Sequence, residues 1–291
     1  MGQPVRIRVI GRAGCGRRTV NRVLRGAGVA IANSSEGADL DIYVLAETLK
    51  PEDRRALADS PRPVVVVLNK ADLAGFGGRG PVAAATAHCV RLGELSGAPV
   101  HPLAGLAALA ALDDTVLDDG MLDALRALTT DPADLGSTDR FAANPHRVAA
   151  PIRARLLARL DLFGIAHAVL ALRSGADRAG VLAALRTASA LDGLLDGIEA
   201  AAAPLHYERL AADDGIAARM AAAVAVVRAA GLEVDAMDDD APASAHLRRA
   251  ITWQRYSRGP VSRLHRSCGA DIVRGSLLLW ERAGGVAVEL P

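Results

Sequence analysis

Apolar positions in the first 130 residues fall into short blocks separated by helix-spaced stretches. Val5-Arg6-Ile7-Arg8-Val9-Ile10 reads as a strand and ends in the glycine-rich turn Gly11-Arg12-Ala13-Gly14-Cys15-Gly16. Val20, Val23, Leu24 and Ala27 then share one face of a helix. Leu40 to Leu45 is a short apolar strand, and Pro51 opens a charged helix at its first turn, where a missing N–H costs little. Val64-Val65-Val66-Val67-Leu68 is an unbroken β-branched run, the composition of a central parallel strand covered on both faces. Val82 to Leu92 reads as helix, Pro99 to Leu103 as strand, and Leu106 onward as helix. Strands separated by helices require crossover connections, so the pattern predicts a parallel α/β sheet with helices on both faces. The pattern breaks at Thr129-Thr130-Asp131-Pro132.

From Pro145 the spacing is helical almost throughout. Ile152, Leu156, Leu160, Phe163 and Val169 mark one long helix. Val181, Leu182, Leu185, Leu191, Leu194, Leu195 and Ile198 mark two more. Leu205 to Leu232 reads as a single alanine-rich helix. Asp235, Asp238, Asp239 and Asp240 form a solvated acidic loop before a helix starting near Ser244, and a last helix spans Pro260 to Arg282. Two domains are expected: α/β over residues 1–130, and a helical bundle or stalk over 131–291.

Composition narrows the function classes. The chain has 291 residues, 51% of them hydrophobic, and a formal net charge of +1. No global field therefore draws it onto nucleic acid or lipid. Lys50 and Lys70 are the only lysines beside many arginines, so a lysine kept inside a motif is informative. Cys15, Cys89 and Cys268 form no CxxC pair and indicate neither a disulfide framework nor a zinc site. Met1-Gly2-Gln3-Pro4 shows no signal-peptide pattern and no spanning apolar run occurs, so a cytoplasmic location is expected.

Two loops leaving strand ends carry the candidate chemistry. Gly11-x4-Gly16-Arg17-Arg18-Thr19 has the strand–turn–helix form of a phosphate-binding loop. Such a loop offers backbone N–H groups, a lysine for the phosphates and a hydroxyl for magnesium. Here Arg17 stands at the lysine position, Arg18 at the hydroxyl position, and Thr19 one place later; Gly14 lies within the turn. The second loop, Asn69-Lys70-Ala71-Asp72, directly follows the valine strand and matches the guanine-specificity motif NKxD of GTPases. An aspartate accepts from guanine N1–H and its exocyclic amine, a donor pair that adenine lacks. The asparagine can tie this loop to the phosphate loop, and the lysine stem can pack over the base. A third loop, Val100-His101-Pro102-Leu103-Ala104-Gly105, puts Ala104 where GTPases hold a Ser-Ala element against the base.

On these motifs residues 1–130 resemble a P-loop GTPase domain of the translation-factor-related class, reduced and degenerate. The interval between the two main loops holds no DxxG turn and is too short for a pair of switch strands. Ala38 to Leu45, preceded by Ser34-Ser35-Glu36-Gly37, resembles the strand that follows DxxG, with Asp39 and Asp41 structural. The resemblance implies GTP or GDP as ligand, while the losses at Arg17, Arg18 and DxxG argue against magnesium-dependent hydrolysis. Arg155-Leu156-Leu157-Ala158-Arg159-Leu160-Asp161-Leu162-Phe163-Gly164 and Leu185 to Leu194 resemble helical regions of actinobacterial dynamin-like GTPases. Those proteins act on membranes through helical stalks and often in pairs. That likeness implies a protein partner, such as an active GTPase, and peripheral contact with the inner face of a membrane.

Arg248, Arg249, Arg255, Arg258, Arg263, Arg266 and Arg274, with Trp253 and Tyr256, form an amphipathic stripe. Its readings are a solvated face, a partner or membrane surface, or least of all a nucleic-acid surface. His265 and Cys268 share a helical face but lack further metal ligands. His88, His101, His146, His167, His206 and His246 follow no readable pattern. Three functions stand at this point: a guanine-nucleotide-binding pseudo-GTPase with a regulatory or assembly role, an interaction protein that binds no nucleotide, and a slow, unconventional GTPase.

Overall fold

Four successive valines favour extended backbone and leave no polar face, so the segment is driven to the middle of a sheet. In the computed structural model it is β3 (Val64–Asn69), flanked by β2 (Leu40–Ala46) and β4 (Val100–Leu103), with β1 (Ile7–Gly11) beyond β2. All three pairings are parallel, with Val9 opposite Ile42, Ile42 opposite Val65 and Val67 opposite His101. The structure describes residues 4–32, 34, 36–75, 79–113, 115–210, 215–235 and 240–286. Ser35 of the segment before β2, and Asp238 and Asp239 of the acidic stretch, lie outside the described residues.

Alternation along the strands sorts the core into two layers. Tyr43, Leu45, Val66 and Leu68 pack on Leu57 of α2 (Pro51–Ala58) and on Ala85, Cys89 and Leu92 of α3 (Pro81–Ser96). Ile42, Val44, Val65 and Val67, equally buried, point to the opposite face. On that side α1 (Arg17–Gly26) buries Val20, Val23 and Leu24 and packs against α4 (Gly105–Leu112).

The first strand has a partner on its outer side as well. Ile7 N–H donates to Ala30 O at 2.8 Å and Ile7 O accepts from Ala32 N–H at 2.8 Å, a parallel bridge to Ile31. Thus α1 returns the chain to one side of β1 before it reaches β2 on the other. The four strands follow one another in sequence order, and among the described residues only this single bridge lies on the outer side of β1. Open α/β sheets take ligands beyond the carboxyl ends of their strands.

Buried carboxylates lock this sheet. Asp41, fully buried, receives Arg8 Nε at 2.8 Å and Arg8 NH2 at 2.6 Å, and Asp39 accepts from Arg6 N–H at 2.8 Å. Both aspartates hold β2 against β1, as their strand position suggests. Asp53, also fully buried, accepts from Arg12 Nε, Tyr43 Oη and Lys50 N, each at 2.8 Å. Burial pushes its carboxyl up, but Arg12, the Lys50 N–H and Tyr43 outweigh that and hold it below the usual range.

The last strand ends at Leu103 and α5 at Thr130, but the compact unit continues past both. It runs from Arg6 to Gly197. Within it α5 (Asp119–Thr130), α6 (Thr138–Ala143), α7 (Ala150–Arg173) and α8 (Arg178–Ala188) share one core with α4. Ala107, Leu125, Phe141, Leu156, Leu160, Ile165 and Leu185 meet there. The helices cannot separate from the sheet layer without exposing those residues. The helix expected from Ile152 to Val169 is bent: Asp161 takes φ 47° and ψ −170° and splits α7 into two stretches.

The second unit comprises Met1–Val5 and Ile198–Pro291. It holds the end of α9 (Leu191–Arg209), then α10 (Ile216–Ala229), α11 (Ala243–Arg258) and α12 (Arg263–Arg282). The single helix expected from Leu205 to Leu232 is therefore two, and extended backbone at Gly215 (ψ 145°) precedes the second. Tyr207, Val224, Val227, Trp253, Cys268 and Ile272 form the core. Asp271 accepts from Tyr207 Oη at 2.7 Å, Arg219 NH2 at 2.8 Å and Arg274 NH1 at 2.7 Å. Among the described residues no helix is long and apolar enough to cross a membrane.

Asp53→Ala should lower stability by about 2–3 kcal/mol near neutral pH, because Arg12 and Tyr43 lose a buried acceptor. The folded carboxyl titrates below its unfolded value, so this contribution is present above about pH 4 and fades as pH falls through the folded value. Urea unfolding of both proteins at neutral and acidic pH measures it. An equal deficit at both would remove the charge as the cause.

Candidate functional site

Glycine geometry brings the first loop close to its neighbours. At Gly11 (φ 138°) a Cβ would lie 2.4 Å from Val44 O, so only glycine lets β1 end so near β2. At Gly16 (φ 86°) a Cβ would lie 2.2 Å from Asn69 Nδ2. Gly14 (φ 82°) completes the turn, and α1 begins at Arg17 with no acidic residue in its first turn. Arg12 is drawn away from the loop mouth by Asp53.

Asn69 ends β3 at 4% exposure. Its Nδ2 donates to Cys15 O at 2.9 Å, joining the second loop to the first. Its Oδ1 is buried and accepts from no group among the described residues. Lys70 follows in the left-handed conformation (φ 60°, ψ 37°), which turns the chain into the 3-10 turn Ala71–Leu73 and presents Asp72. From the third loop, Gly105 approaches the same amide: a Cβ there would sit 2.6 Å from Asn69 Oδ1.

These loops wall a cavity of about 630 Å³. Gly16, Thr19, Asn69, Lys70 and Asp72 line it. Gly11 and Gly14 shape the turn from outside that lining, and Arg17 and Arg18 are exposed on α1, with no ion pair among the described residues. Ala104 is 1% exposed and donates its N–H to Ser189 O at 3.0 Å, so Gly105 and Leu106 face the cavity in its place.

The far wall comes from α7, which the sequence motifs did not assign to a site. Asp161, Leu162, Phe163 and His167 line the cavity. Asp161 Oδ1 accepts from Phe163 N–H at 2.7 Å and so restarts the helix after the bend. Its carboxyl shares this cavity with that of Asp72, and the two interact. Burial and the nearby Asp72 charge push Asp161 up to about 6, and burial raises Asp72 as well. The two acids titrate as a pair rather than singly. Burial lowers His167, which favours the neutral imidazole. A signal for Asp161 exists in the sequence: an aspartate between two leucines is a poor helix-interior residue and a good cap.

The remaining candidates separate. Arg249 is 1% exposed, with Nε donating to Ser276 Oγ at 2.9 Å and NH2 beside His246 Nδ1 at 2.9 Å, and Trp253 is buried. The arginine stripe is therefore broken by a core residue. His265 Nδ1 pairs with Tyr256 Oη at 2.7 Å and Cys268 is fully buried. Among the described residues no group of three or more His, Cys, Asp or Glu could hold a metal ion.

No protein-family model matches the chain, and searches of curated proteins and of solved structures return no match.

Asn69→Ala should cost about 1–2 kcal/mol and leave the Cys15 carbonyl without its donor. Hydrogen exchange should quicken in residues 11–19 more than in β4. Uniform change along the chain would mean that Asn69 does not join the loops.

Proposed function

We propose that the Arg6–Gly197 unit binds a guanine nucleotide without hydrolysing it, and that the protein serves a regulatory or assembly role. The observation that carries this reading is the Asn69 amide, bonded to the first loop through Nδ2 with its buried Oδ1 still an open acceptor beside Asp72. Asp72 offers two oxygens to adjacent N–H donors, and guanine carries such a pair on one edge. Phe163 and the Lys70 stem add apolar surface for a planar base, and a volume of about 630 Å³ lies within the range for small-ligand sites. Phosphate would meet backbone N–H groups at the start of α1, beside Gly16 and Thr19. With Arg18 in place of a magnesium hydroxyl, binding is expected to be weak and insensitive to metal.

Calorimetric titration with GDP, GTP and ADP, with and without magnesium, checks this. Micromolar binding of GDP and GTP over ADP, unchanged by magnesium and lost in Asp72→Ala, is the expected outcome. Absence of binding at millimolar nucleotide, or magnesium-dependent turnover, would overturn it.

A surface supports the second reading, an interaction protein. On α11, Leu247 and Ile251 are 37% and 42% exposed, beside exposed Arg248, Arg255 and Arg258. Co-sedimentation with anionic vesicles should fall when those three arginines become serine; unchanged binding would exclude this face.

A further inference from the structure

We propose that Asp161 is a second recognition residue of this cavity, an internal acid that holds Asp72 until a ligand offering two adjacent N–H donors replaces it. This rests on the guanine-site reading above. Its geometric basis is the bend in α7. Asp161 leaves helical geometry at φ 47°, a conformation costly for a residue with a side chain, and lines the same cavity as Asp72 and Asn69, whose buried Oδ1 has no partner among the described residues. The bend places a carboxyl of α7 in the same cavity as the carboxyl of the loop after β3, where like charges disfavour ionisation of both.

The exchange can be followed atom by atom. In the protonated pair, Asp161 O–H donates to one Asp72 oxygen. A ligand that uses a single N–H can take the other oxygen and leave the acid in place. A guanine edge, with N1–H and the amine N–H side by side, requires both oxygens and must displace Asp161. Once Asp161 has released its proton to solvent, the two carboxylates repel and the pair gains by meeting the ligand's donors. Affinity for a guanine edge therefore rises as the shared proton is lost, while affinity for a hypoxanthine edge, with only N1–H, does not follow it. The other titratable groups lining the cavity are Lys70, from the loop after β3, and His167, from α7. Their titration, and that of the phosphates, acts on both ligands alike and cancels in the ratio of the two affinities.

The test is the ratio of GDP to IDP affinity across pH, read by calorimetry on the full chain. In the native protein the ratio should rise about tenfold from about pH 5 to about pH 7, the limit for one linked proton titrating near 6. Asp161→Asn, whose amide donates at every pH, should hold the ratio flat and low. Asp161→Ala, which removes the competitor, should hold it flat and high. Carboxyl carbon NMR without ligand should show a coupled two-carboxyl titration in the native protein and its loss in both variants. A flat native ratio with both nucleotides bound, or a ratio that still rises in Asp161→Asn, would overturn the role of Asp161 and leave the base site standing. No binding of either nucleotide at millimolar concentration would overturn both.

Discussion

The hydrogen bond from Asn69 Nδ2 to the Cys15 carbonyl is the contact on which the edge of this sheet depends. β1 and β3 are not neighbours, since β2 lies between them, so no backbone ladder joins their ends. A buried side-chain amide does it, and two glycines make room. A side chain at Gly16 would strike Nδ2, and one at Gly105 would strike Oδ1. Three loops thereby converge on one group, and the cavity opens where they meet.

The rest of the unit follows from that placement. The Ile7–Ile31 bridge holds the outer side of β1, and the cavity lies at the carboxyl ends of β1, β3 and β4. Asp53 anchors Arg12 and thus one side of the first loop. The helices after residue 130 close the crevice from the other side because their apolar faces require α4 as a partner. The site is thus built equally by the sheet and by helices that look, from spacing alone, like a separate domain.

Charge inside the two units is handled by pairing. Asp41, Asp53 and Asp271 each meet arginine, and at Asp53 and Asp271 a tyrosine hydroxyl adds a further donor. Asp72 and Asp161 differ, since each shares its cavity with another acid and burial raises both carboxyls. Lys70, whose charge could offset Asp72, has an exposed side chain.

The sequence by itself determined the parallel strands, the glycine turn and the Asn69–Asp72 loop, because each is fixed by local chemistry. Runs of valine exclude helix-like amphipathicity, positive φ selects glycine, and a loop directly after a buried strand has one place to emerge. Tertiary structure decided the rest. The change of period near residue 130 looked like a boundary since hydrophobic spacing reports which face of a helix is buried, not what it is buried against. Arg249 looked like a surface residue for the same reason. Asp161 was legible only as an aspartate in an apolar helix. Its meaning depends on Asp72, distant in sequence and brought to it by the packing of α7, and periodicity carries no information about such pairs.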